Sequence, residues 1–203
     1  RPPLQSGLLY IVATPIGNLE DITLRAIRTL QECDIVAAED TRRAGLLLKH
    51  LGIAKPIFSC FEFNEMRRAV EIVEKLSAGQ KVALITDAGT PCISDPGQRI
   101  VSAVLNAGLK VEPVPGACAL IAALTASGLP TDEFHFVGFL PHKQGKRRRM
   151  VENLKNIPGT LIFYESPFRV IKLIEELVQL MPERKVVIAR EITKKFEEYI
   201  RGY

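Results

Sequence analysis

LLYIVATPIGNLEDITLRAIRTLQECDIVAAED, residues 8–40, holds the alternation on which the reading of the fold turns. Residues 8–14 form an apolar run of strand length. Leu24, Ile27 and Leu30 then recur on one face of a helix begun near Asn18 or Asp21. Residues 35–38, Ile-Val-Ala-Ala, read as a second buried strand. Strand, helix and strand in succession specify a βαβ unit and a mainly parallel sheet.

The alternation continues on the C-terminal side. A short helix is expected over 46–51, a strand over 56–61, and a helix carrying Val70, Val73 and Leu76 that Gly79 closes. A strand at 82–86, a helix marked by Ile100, Val101, Val104 and Leu105, a strand at 111–114 and a small-residue helix at 117–126 follow. Gly128-Leu129-Pro130 interrupts the pattern, which places a boundary between two α/β domains, residues 1–127 and 128–203. The second is expected to hold strands at 134–139, 160–164 and 186–190, helices near Met150 and over 168–180, and a basic loop before Met150. Residues 194–203 show no closing element, and the natural chain is expected to run on beyond them.

Composition narrows the class. With 47% hydrophobic and 25% charged residues, the chain is in the globular range and outside the disordered one. The longest apolar run, 117–126, is too short for a bilayer, which takes ~20 residues, so no membrane partner is expected. Residues 1–7 carry prolines and no apolar core, unlike a signal peptide. Cys33, Cys60, Cys92 and Cys118 are scattered and share no ligand spacing with His50, His135 or His142. A reduced, cytoplasmic setting without a metal site fits them. Lys143, Lys146, Arg147, Arg148 and Arg149 account for the whole net charge of +4, because 22 basic residues face 23 acidic ones elsewhere. So local an excess points to contact with a polyanion, against the plainer reading of a solvated basic loop.

In an open α/β sheet, ligands bind beyond the carboxyl ends of the strands. Three of those loops pair a proline with a glycine: Thr14-Pro15-Ile16-Gly17-Asn18, the run from Asp87-Ala88-Gly89-Thr90-Pro91 through Ile93 to Gly97, and Pro115-Gly116-Ala117. Glycine lets backbone approach a ligand closely, so a large side chain at Gly89 is expected to block binding without unfolding the protein. The loops lack Lys and Arg, which favours a ligand without phosphates. No dinucleotide-binding G-x-G-x-x-G occurs, and the one Gly145-Lys146 pair has Leu140 and Arg147 where a P-loop needs Gly and Ser or Thr. Glu39, Asp40, Arg42, Asn64 and Glu65 also follow strands. They suit orienting a hydroxyl nucleophile or taking its proton, although acidic residues there also cap the next helix.

The stretches LYIVATPIGNLEDIT, AAEDTR, TDAGTPCISDPG, VPGACALIAALTASGLP, GFLPHKQGKRR, LIFYESPFR and IAREITKKFEE resemble, in this order, the 16S ribosomal RNA cytidine 2′-O-methyltransferases, a branch of the tetrapyrrole methylase superfamily. The resemblance implies two α/β domains with S-adenosylmethionine in the cleft between them, and a homodimer. It assigns cofactor contacts to Pro15, Asp87, Ala88, Gly89, Thr90, Ile93, Pro115, Gly116, Cys118, Ala119, Tyr164 and Glu165. Many members carry a histidine-containing run before the equivalent of Asn64-Glu65, whereas this chain has Phe61-Glu62-Phe63.

Under that resemblance, methyl transfer is an in-line displacement that needs alignment and no metal. Glu39, Asp40, Asn64 and Glu65 are then the candidates to take the 2′-hydroxyl proton, Arg42 to hold a flanking phosphate or a carboxylate, and the five basic residues to bind 16S ribosomal RNA or the small subunit. Two other readings stand beside it: a methylase acting on a tetrapyrrole carbon, and a non-catalytic ribosome-assembly factor that binds RNA and no S-adenosylmethionine.

Overall fold

A computed structural model describes residues 2–87, 89–94 and 96–203. The chain forms two compact units, Arg1–Cys118 and Ala119–Tyr203. The second unit therefore begins before the Gly128-Leu129-Pro130 interruption, at the small-residue helix.

Strands β1 (Leu8–Val12), β2 (Ile35–Ala38), β3 (Ile57–Ser59), β4 (Val82–Ile85) and β5 (Lys110–Val114) make the sheet of the first unit. All its pairings are parallel, in the order β3-β2-β4-β1-β5. Helices α1 (Leu24–Glu32), α2 (Thr41–His50), α3 (Glu65–Ser77) and α4 (Gln98–Asn106) connect them. Side chains alternate across a strand, and two cores result. Leu8, Tyr10 and Val12 of β1 join Ala83 and Ile85 of β4 beneath α1 and α2, whereas Leu9, Val82 and Leu84 pack with Ile72 and Leu76 of α3 and Ile100 and Val104 of α4. Being covered on both faces is why these strands read as unbroken apolar runs. At the outer strand β5, Pro113 is exposed and its carbonyl accepts a hydrogen bond from Arg25 of α1.

Two helix starts differ from expectation because of caps. Thr23 caps α1, its hydroxyl accepting from the Ala26 amide, while Asn18 caps a separate single turn of 3₁₀ helix, Leu19–Asp21. The inward face of α1 is consequently Ala26 and Leu30 with Ile27, and Leu24 is 75% exposed. Asp40 starts α2 five residues earlier than 46.

The second unit opens with α5 (Ala119–Ser127). A parallel pair, β6 (Phe134–Phe139) and β7 (Thr160–Tyr164), packs with α6 (Gln144–Leu154) and α7 (Val170–Leu180) around Leu140, Val151, Leu154, Leu173 and Leu177. Arg184 binds the loop after α6, donating to the carbonyls of Lys155, Ile157 and Gly159. The segment expected as a basic loop is largely the first half of α6. Residues 194–203 do contain a closing element: β9 (Glu198–Gly202) pairs antiparallel with β8 (Val186–Arg190), and Arg201 donates to the Ala126 carbonyl at the end of α5.

Candidate active site

At the carboxyl edge of the sheet, the loops after β1, β4 and β5 are neighbours because β1 lies between β4 and β5. They lock together through backbone and hydroxyl bonds. The Ala13 amide donates to the Val114 carbonyl and the Thr14 amide to that of Gly89 at 3.0 Å. Thr14 Oγ1 donates to the Thr86 carbonyl, and Thr90 Oγ1 to that of Ala117 at 2.9 Å. Gly89, at φ 85°, is buried in this contact: a Cβ there would lie 2.9 Å from Ile16 Cγ2 and 3.2 Å from the Ala117 carbonyl oxygen. One on Gly116 would lie 2.9 Å from the Ala13 Cβ. The expectation that a side chain at Gly89 disturbs only ligand binding is therefore corrected, since the glycine is required by packing between loops.

The edge of this frame is open for contact. Pro115 and Gly116 are exposed, Pro15, Thr90 and Cys118 are half-buried, and Ile93 is exposed between Cys92 and Ser94, which hold positive φ of 74° and 56°. Strained non-glycine backbone of this kind gathers where a loop must present groups in a set geometry. Ala88 lies outside the described residues. Sequence reasoning passed over Thr86, whose side-chain oxygen is buried with no hydrogen-bond partner. Its signal was a polar residue closing an otherwise apolar strand, and an orphaned hydroxyl beside three glycine-bearing loops fits a ligand that hydrogen-bonds there.

The carboxylates divide by what they already hold. Asp40 Oδ1 accepts from the Arg42 and Arg43 amides as the α2 cap. Asn64 accepts from the Phe61 amide at 2.7 Å and donates to the Ser59 carbonyl, closing its own turn. Glu65 is buried, and its Oε1 accepts from the amides of Gly97 and Arg99. Asn64 thus closes its own turn and Glu65 Oε1 holds the start of α4, a supporting role beside the one expected of them. Glu39 is half-buried and Arg42 exposed, at the end of β2 next to β4. After the neighbouring strand β4, burial and the nearby Asp40 charge push the Asp87 carboxyl above the usual carboxylate range, partly offset by the Arg43 charge and by the Asp40 amide that donates to it.

In the second unit, the Tyr164 hydroxyl accepts from the Leu120 amide at the start of α5, and its ring meets Phe136 and Phe139 edge-on. Glu165 accepts from the Ser166 amide and pairs with Arg169, which also contacts His142. Ala119 is half-buried at the first position of α5. The basic cluster is not uniform. Lys143, Lys146 and Arg149 are exposed and Arg148 donates to Gln179, but Arg147 is buried. Its guanidinium makes two bonds to Glu176, at 2.6 and 2.7 Å, and donates to the carbonyls of Pro141 and His142. Arg147 is thus removed from the RNA-binding set, since no donor-rich face of it is left for phosphate.

Among the described residues, no three His, Cys, Asp or Glu side chains gather to hold a metal ion, and no helix is long and apolar enough to cross a membrane. Burial raises the Cys33 and Cys60 thiols to about 11 and about 12, which leaves them unreactive. An open hollow of about 440 Å³ lies near the C-terminal end of α2, lined by Gly45, Leu48, Gly52 and Ile53, away from the carboxyl edge of the sheet.

Residues 8–203 match the family model of the tetrapyrrole (corrin/porphyrin) methylases. The chain is 52% identical to the ribosomal RNA small subunit methyltransferase I of Haemophilus influenzae, over 95% of this chain and 68% of the relative. It is 48% identical to the protein of the same name from Halalkalibacterium halodurans, over 97% and 68%. Among solved structures, the uroporphyrin III C-methyl transferase of Thermus thermophilus superposes with a TM-score of 0.66 at 22% identity, covering 96% of this chain and 87% of that one. A cobalt precorrin-4 methyltransferase superposes with 0.67 at 18% identity, covering 96% and 84%. At that identity the two structures share the fold.

Proposed function

We propose, from the premise that the chain belongs to the tetrapyrrole (corrin/porphyrin) methylase family, that it is an S-adenosylmethionine-dependent methyltransferase acting on the 2′-hydroxyl of a cytidine in small-subunit ribosomal RNA. The observation that carries the reading is identity at about half of all positions, through both units, with relatives that bear one printed name.

Bound S-adenosylmethionine supplies an electrophilic methyl group. The residues present fit such a ligand: the loop frame has no Lys or Arg, and the Thr86 hydroxyl is buried without a partner. The interlocked loops hold fixed positions for Pro15, Thr90, Ile93, Pro115 and Cys118, so alignment is built in before binding. Asp87, at the start of the loop after β4, suits accepting a hydrogen bond from a ligand hydroxyl. Glu39, Asp40, Asn64 and Glu65 are the groups proposed to orient the 2′-hydroxyl or take its proton, and Arg42 to hold a phosphate beside it. The resemblance also assigns Ala119, Tyr164 and Glu165 of the second unit to cofactor contact, and the active species is read as a homodimer.

The test is transfer of labelled methyl from S-adenosylmethionine to small ribosomal subunits, to free 16S ribosomal RNA and to a uroporphyrinogen. Label on a cytidine ribose supports the reading. Label on the tetrapyrrole, or failure to bind S-adenosylmethionine in calorimetry, overturns it in favour of a carbon methylase or a non-catalytic binder respectively.

A further inference from the structure

The turn after β3 places the segment Phe61-Glu62-Phe63 at the same carboxyl edge as the candidate site, and Phe63 is 93% exposed. An aromatic ring so fully in water is unusual unless something covers it. Another ring on this strand is already in use: Phe58 lies under the Arg68 guanidinium at 4.3 Å and near Lys75. Among the described residues, the ring that Phe63 meets is that of Phe61, edge-on with centroids 6.4 Å apart. Nor is the turn loose. Asn64 ties it to the Phe61 amide and the Ser59 carbonyl, its own amide donates back to the Phe61 carbonyl, and Glu65 anchors the helix that follows to the start of α4. Ala38 and Ser59 are register partners, so the loops after β2 and β3 leave the sheet side by side. The first leads into α2 with exposed Arg42 and Arg43, the latter 3.9 Å from the Asp40 carboxylate, and the second into α3 with exposed Arg67.

Aromatic faces flanked by guanidinium groups are what single-stranded RNA is held by, the rings stacking unpaired bases and the cations meeting phosphates. We infer that Phe63, supported by Phe61, is a stacking platform for an unpaired base of the RNA substrate, with Arg42, Arg43 and Arg67 meeting the adjoining backbone. The inference rests on the RNA reading above and adds the element that fixes the nucleotide for transfer.

The chain has no tryptophan, so Phe63→Trp carries the sole indole. Titrated with single-stranded oligocytidylate, its fluorescence should be quenched saturably. Leu105→Trp, on α4 near the opposite edge of the sheet, should not respond. Phe63→Leu should weaken oligocytidylate binding roughly tenfold, the scale of one lost base stack. It should leave S-adenosylmethionine affinity unchanged, which also reports that the variant is folded. If the parent binds oligocytidylate and Phe63→Trp is not quenched, the platform is wrong and the RNA reading survives. If the parent binds neither oligocytidylate nor ribosomal RNA, both fall. A shift from dimer to monomer on Phe63→Leu in sedimentation overturns the platform by assigning the face to a second copy of the chain.

Discussion

At Gly89 the backbone holds φ 85° with Ile16 and the Ala117 carbonyl where a side chain would begin. Gly89→Val should lower stability by about 1–3 kcal/mol through backbone strain and crowding, and lose S-adenosylmethionine binding with it. Denaturant unfolding run beside calorimetry checks this, and binding lost at full stability would argue against it. Asp87 carries a pH prediction. A carboxyl whose folded pKa lies above its unfolded one favours the native state while protonated, and that advantage disappears as pH rises through the folded pKa. Asp87→Asn, which keeps an acceptor for the Asp40 amide, should therefore be more stable than the parent at pH 7. The gain should vanish below the ordinary aspartate value, about 3.9. Equal unfolding midpoints at pH 7 would contradict it.

Among the elements, α6 shows most plainly what a sequence conceals. Five cations in seven residues read as one surface, yet Arg147 stands four residues before Val151 and seven before Leu154, on the buried stripe of the helix. Its partner Glu176 likewise sits between Leu173 and Leu177 on the buried stripe of α7. Two charges on facing apolar stripes were the available sign of an internal pair. Arg147→Met should destabilise by about 3–5 kcal/mol because Glu176 is left buried and unpaired, and pairing it with Glu176→Leu should restore most of the loss. Glu176 is held below the usual glutamate range by the Arg147 bonds, so this stabilisation is present above about 4.3 and fades as pH falls through the folded pKa. Denaturant midpoints of the three proteins across pH test it. A single variant as stable as the parent would sink the assignment. The central strands β1, β2 and β4 were legible because burial on both faces makes them apolar throughout. By contrast, β9 was hidden, since the turn before it uses Glu191 and Thr193 at positive φ instead of a glycine or asparagine. Glu65 was unreadable for another reason: its partners, the amides of Gly97 and Arg99, are 32 and 34 residues away.

Over the whole molecule, the cations proposed to meet RNA stand on both units, Arg42, Arg43 and Arg67 on the first and those around α6 on the second. The loop frame of the first unit is without Lys or Arg, whereas the exposed cations of α6 belong to the second. Lys143→Ala, Lys146→Ala and Arg149→Ala combined should weaken ribosomal RNA binding and flatten its logarithmic salt slope by about two, at roughly 0.7 per phosphate contact. S-adenosylmethionine affinity should not move. An unchanged salt slope would return the cluster to a merely solvated helix face. Pro113 bears on a different property, the tendency of open sheets to add strands from other molecules. Because Val114 turns its carbonyl toward β1, the alternation of the backbone turns Pro113 outward, where proline offers no amide and Arg25 occupies the carbonyl. The opposite border, β3, is only three residues long. One border of the sheet is thus chemically blunted and the other offers a neighbour little to template on, which disfavours edge-to-edge growth of the five-stranded sheet.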